Sequence, residues 1–281
     1  MVSERARGSP TGALRDLIAR YDGYRQRGVV PARHLGLPSP FMTVIVTLDD
    51  PLHLIEHVDR SRRPASYESL VGGLHATPVV IAHDGAQGGI QLSVSPLASR
   101  TLLGMPAGEL ASADFAGDEI VGRLAGELYE RLNAASGWPE RFAILDTALS
   151  DRASRRRAAA PPEPVKGAWM LLHRSGGSIP ISRLAREVGW SERQLGKRFE
   201  HEIGLSPKVA ARVIRFDRAR RALQAQLASE GRTDIAWVAA QCGYHDQPHL
   251  IRDFRSFTGL APTRWLAQEF GNVQVEPLVA V

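Results

Sequence analysis

The chain has 281 residues, 43% of them hydrophobic, and a formal net charge of +5 at pH 7. That is apolar material for about two domains, and no apolar run reaches the roughly 18 residues that span a bilayer, so a membrane role is not expected. Met1 to Gly12 is polar and Arg-containing with no apolar signal core behind it, and the single cysteine, Cys242, cannot close an internal disulfide, so a reducing, cytoplasmic setting is expected.

In the N-terminal half, Phe41 to Leu48, Ser66 to Gly72, Pro78 to His83 and Gly88 to Val94 are short runs rich in Val, Ile and Thr, bounded by Pro, Gly and Asp. They read as strands of a sheet or small barrel. Between the first two, His53-Leu54-Ile55-Glu56-His57 matches the inverted zinc-peptidase pattern, which needs both His on one helical face with Glu activating water. Five residues match easily by chance, and no third ligand follows in a recognisable context, so no enzyme is expected. A non-catalytic metal or ligand site at His53, His57, His75 or His83 is a second reading, and ordinary exposed or buried histidines a third. From Asp118 the apolar spacing turns helical, with Ile120, Leu124, Leu128 and Leu132, then Phe142, Leu145 and Leu149 after a Gly137-Trp138-Pro139 break, which predicts two antiparallel helices.

Ser150 to Lys166 has charged, small and proline residues without a hydrophobic face and reads as a linker. Its Arg155, Arg156 and Arg157 are expected to be a solvated basic run rather than a phosphate grip. Charge separates at the same place: residues 1–160 hold 18 Lys plus Arg against 18 Asp plus Glu, and residues 161–281 hold 17 against 12. The net positive charge therefore lies in the C-terminal part, where it favours phosphate backbones.

There one pattern occurs twice. Ala185, Gly189, Trp190, Leu195, Phe199, Gly204 and Pro207 recur as Ala239, Gly243, Tyr244, Leu250, Phe254, Gly259 and Pro262, offset by 54 and then 55 positions. Each copy reads as a short helix, a turn at a glycine that tolerates the left-handed conformation, and a second helix started by an oxygen-bearing cap. Ser191 stands three residues before Gln194, at capping-box spacing, and Asp234 and Asp246 supply the caps of the second copy. Pro207 to Leu227 between the copies is one long helix whose buried stripe is Val209, Val213, Phe216, Ala219 and Leu223, so its arginines spread around the rest of the cylinder.

Leu184 to Pro207 followed by Ile235 to Pro262, with the endings Gly-Leu-Ser-Pro (204 to 207) and Gly-Leu-Ala-Pro (259 to 262), resembles the paired helix-turn-helix domain of the AraC/XylS family of bacterial transcription regulators. The resemblance implies an α+β chain: an N-terminal cupin-like β-barrel with a helical hairpin, a linker, and an all-α C-terminal domain with two helix-turn-helix units joined by a long helix. The expected divisions are a sensing and dimerisation domain at 1–150, a linker at 151–165, a DNA-binding domain at 166–268 and a tail at 269–281. The resemblance also implies partners: double-stranded promoter DNA, RNA polymerase and a small-molecule effector, with no cofactor. An exposed apolar stripe on the hairpin would allow a homodimer across a two-fold axis; packing of the same leucines on their own barrel is the alternative.

With Leu195 and Phe199 turned inward, Arg193, Gly196 and Lys197 fall on the opposite face, in positions that match the family's base-reading slots. Arg can donate twice to a guanine edge, whereas Gly196 offers no side chain and either allows close approach to the groove or reduces base contacts. In the second copy Gln247, His249 and Arg252 face outward, Gln suiting adenine and Arg guanine; for His249 a base contact and a phosphate or solvent position stand equal. Arg198 and Arg255 are expected to hold phosphates, which position without specifying. By resemblance the long helix holds the two reading helices about one duplex turn, roughly 34 Å, apart.

The expected function is sequence-specific regulation of transcription. A metal-dependent enzyme with a fused DNA-binding domain and an architectural DNA-binding protein without an effector are the alternatives. A methyl-accepting repair sensor needs several thiolates, and this chain has Cys242 alone, whose expected role is packing.

Overall fold

The computed structural model of the protein describes residues 2–156, 160–272 and 279–280. Its N-terminal part is built from strands β1 (Val2–Gly8), β2 (Ile18–Arg27), β3 (Ala32–Gly36), β4 (Met42–Thr47), β5 (Leu52–Glu56), β6 (Ala65–Tyr67), β7 (Ser69–Gly72), β8 (Val79–His83), β9 (Ala86–Val94) and β10 (Asp114–Ala116). One sheet runs β10-β7-β4-β9-β2-β1, with Val279–Ala280 (β11) adding a parallel pair beside β1, and the second runs β3-β8-β5-β6. Inward residues of both sheets share a core: Ile45 and Leu70 from the first meet Leu52, Leu54, Val79 and Ile81 from the second. This is the expected α+β plan of an N-terminal strand domain and a helical C-terminal part.

The four strand segments read from the sequence are β4, β6 with β7, β8 and β9. Strands β1 and β2 escaped that reading because their outward positions carry Arg, Glu and Gln and break up any Val and Ile run. Strand β5 contains His53 and Glu56, so the zinc-peptidase pattern lies on extended chain and its helical geometry is absent. His53 Nδ1 lies 2.7 Å from the Ser66 hydroxyl, whereas His57, with a fully buried side chain, places Nδ1 3.1 Å from Asp114. His75 bonds the Thr77 carbonyl and His83 takes the Gly85 N–H. Among the described residues no three potential metal ligands converge.

After β9 come α1 (Ser99–Leu102), α2 (Gly117–Val121), α3 (Leu124–Ala134) and α4 (Trp138–Arg155), the last two forming the hairpin. Leu128, Leu132, Leu145 and Leu149 are buried against their own domain, so the stripe considered for a homodimer is already covered. Arg141, itself buried, donates to the carbonyls of Leu132 and Ala135 and so satisfies the open end of α3. Gly23 makes room on β2 for Trp138, since a Cβ there would stand 2.5 Å from the indole.

Helix α4 continues through Ser150–Arg155, the first six of the seventeen residues read as linker, and Arg157 lies outside the described residues. The C-terminal part comprises α5 (Glu163–Arg174), α6 (Ile181–Glu187), α7 (Glu192–Ile203), α8 (Pro207–Glu230), α9 (Ile235–Gln241), α10 (Gln247–Thr258) and α11 (Pro262–Asn272). Its core, around Trp169, Phe199, Phe216, Phe254 and Trp265, is continuous with the barrel core through Leu103, Ala107, Ile203 and Leu205.

The histidines of the barrel make its stability depend on acid. Burial, then the neighbouring His83 ring, pushes the His34 pKa down from 6.5 to about 4. A pKa depressed by folding means that stability is complete above the unfolded value of 6.5 and is lost as pH falls from there towards about 4. The melting temperature is expected to drop over that interval, and His34→Gln should flatten the drop; an unchanged pH profile in the variant would refute the assignment.

Candidate nucleic-acid interface

The two helical units are the same construction made twice. Helices α6 and α9 each have seven residues, and α7 and α10 each have twelve. Each first helix ends at a glycine with positive φ, +71° at Gly189 and +76° at Gly243. The next residue then turns its N–H back: Trp190 N to Ala185 O, 3.0 Å, and Tyr244 N to Ala239 O, 3.0 Å. This six-to-one bond closes the open carbonyl end of the helix and sets the exit direction of the chain. The following helices start on side-chain caps, Ser191 accepting from Gln194 N at 3.2 Å and Asp246 from His249 N at 2.7 Å. The caps read from sequence, including Asp234 on Trp237 N at 2.9 Å, are all made.

Leu195, Phe199, Leu250 and Phe254 are buried, and the opposite faces of α7 and α10 are open. Arg193, Lys197 and Arg198 on α7 and Gln247, Arg252 and Arg255 on α10 are exposed, while Gly196 and His249 are partly covered. The His249 ring leans back on Tyr244, centroids 5.1 Å apart, and its Nδ1 lies 3.4 Å from His245 N, leaving Nε2 as its outward atom. Registering the two copies at 55 positions shows that Gln194, exposed on α7, stands where His249 stands on α10. The sequence reading passed over it, although that register was visible.

Charge use separates the reading faces from the spacer. On α8, Arg212 binds the buried Asp253 at 2.9 Å, Arg220 and Arg221 bind the buried Asp217 at 2.7 and 2.8 Å, and Arg215 lies over the Tyr244 ring. These arginines hold the domain together. Among the described residues, Arg193, Lys197, Arg198, Arg252 and Arg255 join no ion pair, whereas Arg183 and Arg212 close by do. These five cations on the two exposed helix faces are free to meet phosphates or base edges, and Lys208 and Arg218 on α8 are exposed and, among the described residues, outside any ion pair as well. Cys242 is buried at the end of α9, its thiol pKa raised by burial, as expected of a packing residue.

A second feature lies between the parts. A chamber of about 880 Å³, partly open to solvent, is lined inside the barrel by residues such as Tyr24, His34 and Gln91 and bordered on its other side by Arg220, Trp265 and Glu269 of α8 and α11. Trp265 is buried, and its indole Nε1 has no protein partner. Burial raises the Glu269 pKa.

Residues 184–268 match a family profile described as a helix-turn-helix domain. With the doubled unit and its long spacer, that match decides the kind of domain. The C-terminal part is an AraC-type helix-turn-helix domain. The chain is similar to HTH-type transcriptional regulator Rv1931c of Mycobacterium tuberculosis, 29% identical over 113 residues, which are 40% of this chain and 40% of the relative. The match therefore spans less than half the length of that relative. Across nearly the whole chain the fold resembles ToxT of Vibrio cholerae. The structure of the strain SCE256 protein with an unsaturated fatty acid bound gives a TM-score of 0.50 at 11% identity, over 98% of this chain and 97% of that one. The O395 protein bound to (E)-4-(8-methylnaphthalen-1-yl)but-3-enoic acid also gives 0.50, at 12% identity over 95% and 98%. Those likenesses show the fold: a strand domain followed by a helical domain.

Gly196 offers a direct check on the α7 face. Nothing lies within 4 Å of the place its Cβ would occupy, so Gly196→Ala is expected to stabilise the protein. The gain, read by denaturant unfolding, should be about 0.5–1 kcal/mol; a loss would mean that the site is more crowded than it is here.

Proposed function

We propose that this protein is a sequence-specific, AraC-type transcription regulator that reads promoter DNA with α7 and α10, residues 166–268 being the reading unit. The observation that carries this reading is the set of five cations outside any ion pair among the described residues, on two exposed, equivalently built helix faces, next to a spacer on which Arg212, Arg220 and Arg221 are paired with buried carboxylates. Arg193, Lys197, Gln247 and Arg252 face base edges, with Gln194 and His249 flanking them; Arg198 and Arg255 hold phosphates. Gly196 lets α7 sit close to the groove wall. RNA polymerase is the partner through which such a regulator acts. A homodimer would need a surface other than the hairpin leucines.

The test is selection of the full chain on a random duplex library at near-physiological salt. Two short boxes about one helical turn apart are expected; salt-sensitive binding without enrichment would favour an architectural protein instead. Arg252→Ala or Gln247→Ala should remove preference at single base pairs, costing about 1–3 kcal/mol there, whereas Arg255→Ala should weaken all duplexes alike and lower the salt slope by about 1. Intact preference in the first two variants would overturn the assignment of α10.

We also propose that the chamber takes a small-molecule effector, because it is roomy, mixed in polarity and lined by residues from both parts of the chain. The ToxT structures with fatty acid and aryl-butenoic acid bound make unsaturated fatty acids the first class to try. Palmitoleate should raise the melting temperature of the wild type and raise it less in Arg220→Ala; no shift at saturating ligand would remove this class.

A further inference from the structure

Residues 99–114 touch the chamber wall at one end and the exit of the first reading helix at the other. At the helix end, Arg100 makes a two-pronged bond to Glu202 in the last turn of α7, Nε to Oε2 at 2.9 Å and Nη2 to Oε1 at 2.8 Å. Glu202 is 5% exposed and the Arg100 side chain 26%, so this pair is partly dry and directional. Beside it the single turn Ala107–Leu110 lies flat on the end of α7. A Cβ at Gly108 would collide with the carbonyls of Glu200 and His201, and the Ala107 carbonyl stands 3.1 Å from the Cβ position of Gly204. Only glycine at 108 allows this approach.

At the chamber end the same segment is bonded to the wall. Gly73 N binds Ala113 O at 3.0 Å, Ser112 N binds Leu74 O at 2.9 Å, and β10 pairs with β7 from Asp114 onward. The Leu110 carbonyl packs so closely on Gly73 that no side chain fits there. Gly72, Gly73 and Asp114 line the chamber. Helix α10 has no such strap; its exit residues Thr258 to Leu260 border the chamber directly.

We propose that residues 99–114 are a strap that couples the state of the chamber to the first reading helix, with the Arg100–Glu202 pair as its latch. The idea rests on α7 being a reading helix, but its physical core is a link between two places in the chain. Displacement of the β7–β10 wall pulls on the turn 107–110, and the latch transmits that movement to α7 because neither close glycine contact has room to slip. Arg100 and Glu202 lie on neither the reading face nor the chamber lining.

Amide hydrogen exchange on the full chain without DNA tests the strap whether or not DNA reading is correct, since local opening is read segment by segment. Arg100→Ala and Glu202→Gln should each speed exchange in residues 199–205 by about ten-fold while leaving residues 247–254 unchanged, and the charge reversal Arg100→Glu with Glu202→Arg should restore slow exchange. Asp114→Asn, at the chamber end, should also speed exchange in 199–205, and should add little once Arg100 is Ala. Unchanged exchange in 199–205, or acceleration spread equally over α10, would overturn the latch. An effect of Asp114→Asn confined to residues 69–75, or fully additive with Arg100→Ala, would overturn the coupling.

Discussion

The hydrogen bond from the aromatic residue after each turn glycine back to the alanine of the preceding helix organises the C-terminal part. It takes a left-handed glycine, a small residue where the helices cross, and an aromatic that closes over the junction. With those three in place the second helix leaves at a set angle, and its buried Leu and Phe decide which side faces outward. Everything about the reading faces, including which side chains are exposed, follows from that angle and that burial.

Charge is divided by the same geometry. The chain is rich in arginine, and the structure gives these arginines two kinds of work. Arg212, Arg220 and Arg221 on the spacer are drawn into partly dry pairs with Asp253 and Asp217, where losing one partner would strand a buried charge. Arg212 thereby bolts α10 to α8, so the second reading helix is held by an ion pair as well as by apolar contact. Arg193 and Arg198 on α7 and Arg252 and Arg255 on α10 are exposed and, among the described residues, outside any ion pair. A count of net charge does not separate the two groups; burial of their acidic partners does.

The helical half was readable from sequence because its constraints are local: a glycine for a positive φ, a cap three residues before its amide, and a leucine and phenylalanine four apart. The barrel was half readable. Strands β4 and β8 have the Val and Ile density of an inner strand, whereas β1 and β2 carry Arg, Glu and Gln on their outer faces, which breaks up any such run. The contact between Arg100 and Glu202 joins residues 102 positions apart and has no periodicity to betray it. The pattern from His53 to His57, set aside in sequence as a chance match, carries a related point: the spacing of a motif has meaning only on the element that carries it, and here His53 to Glu56 lie on a strand.

The extra residue in the second turn keeps the two reading helices in the same rotational phase, so that Leu250 and Phe254 repeat Leu195 and Phe199. Equal phase with unequal chemistry has a geometric outcome. One face shows Arg193, Gly196 and Lys197, the other Gln247, His249 and Arg252, and a single chain carrying two unlike faces in a set order is an object with a front and a back. Any duplex that satisfies both faces can be gripped in one direction only, so a lone copy of this protein would itself tell upstream from downstream.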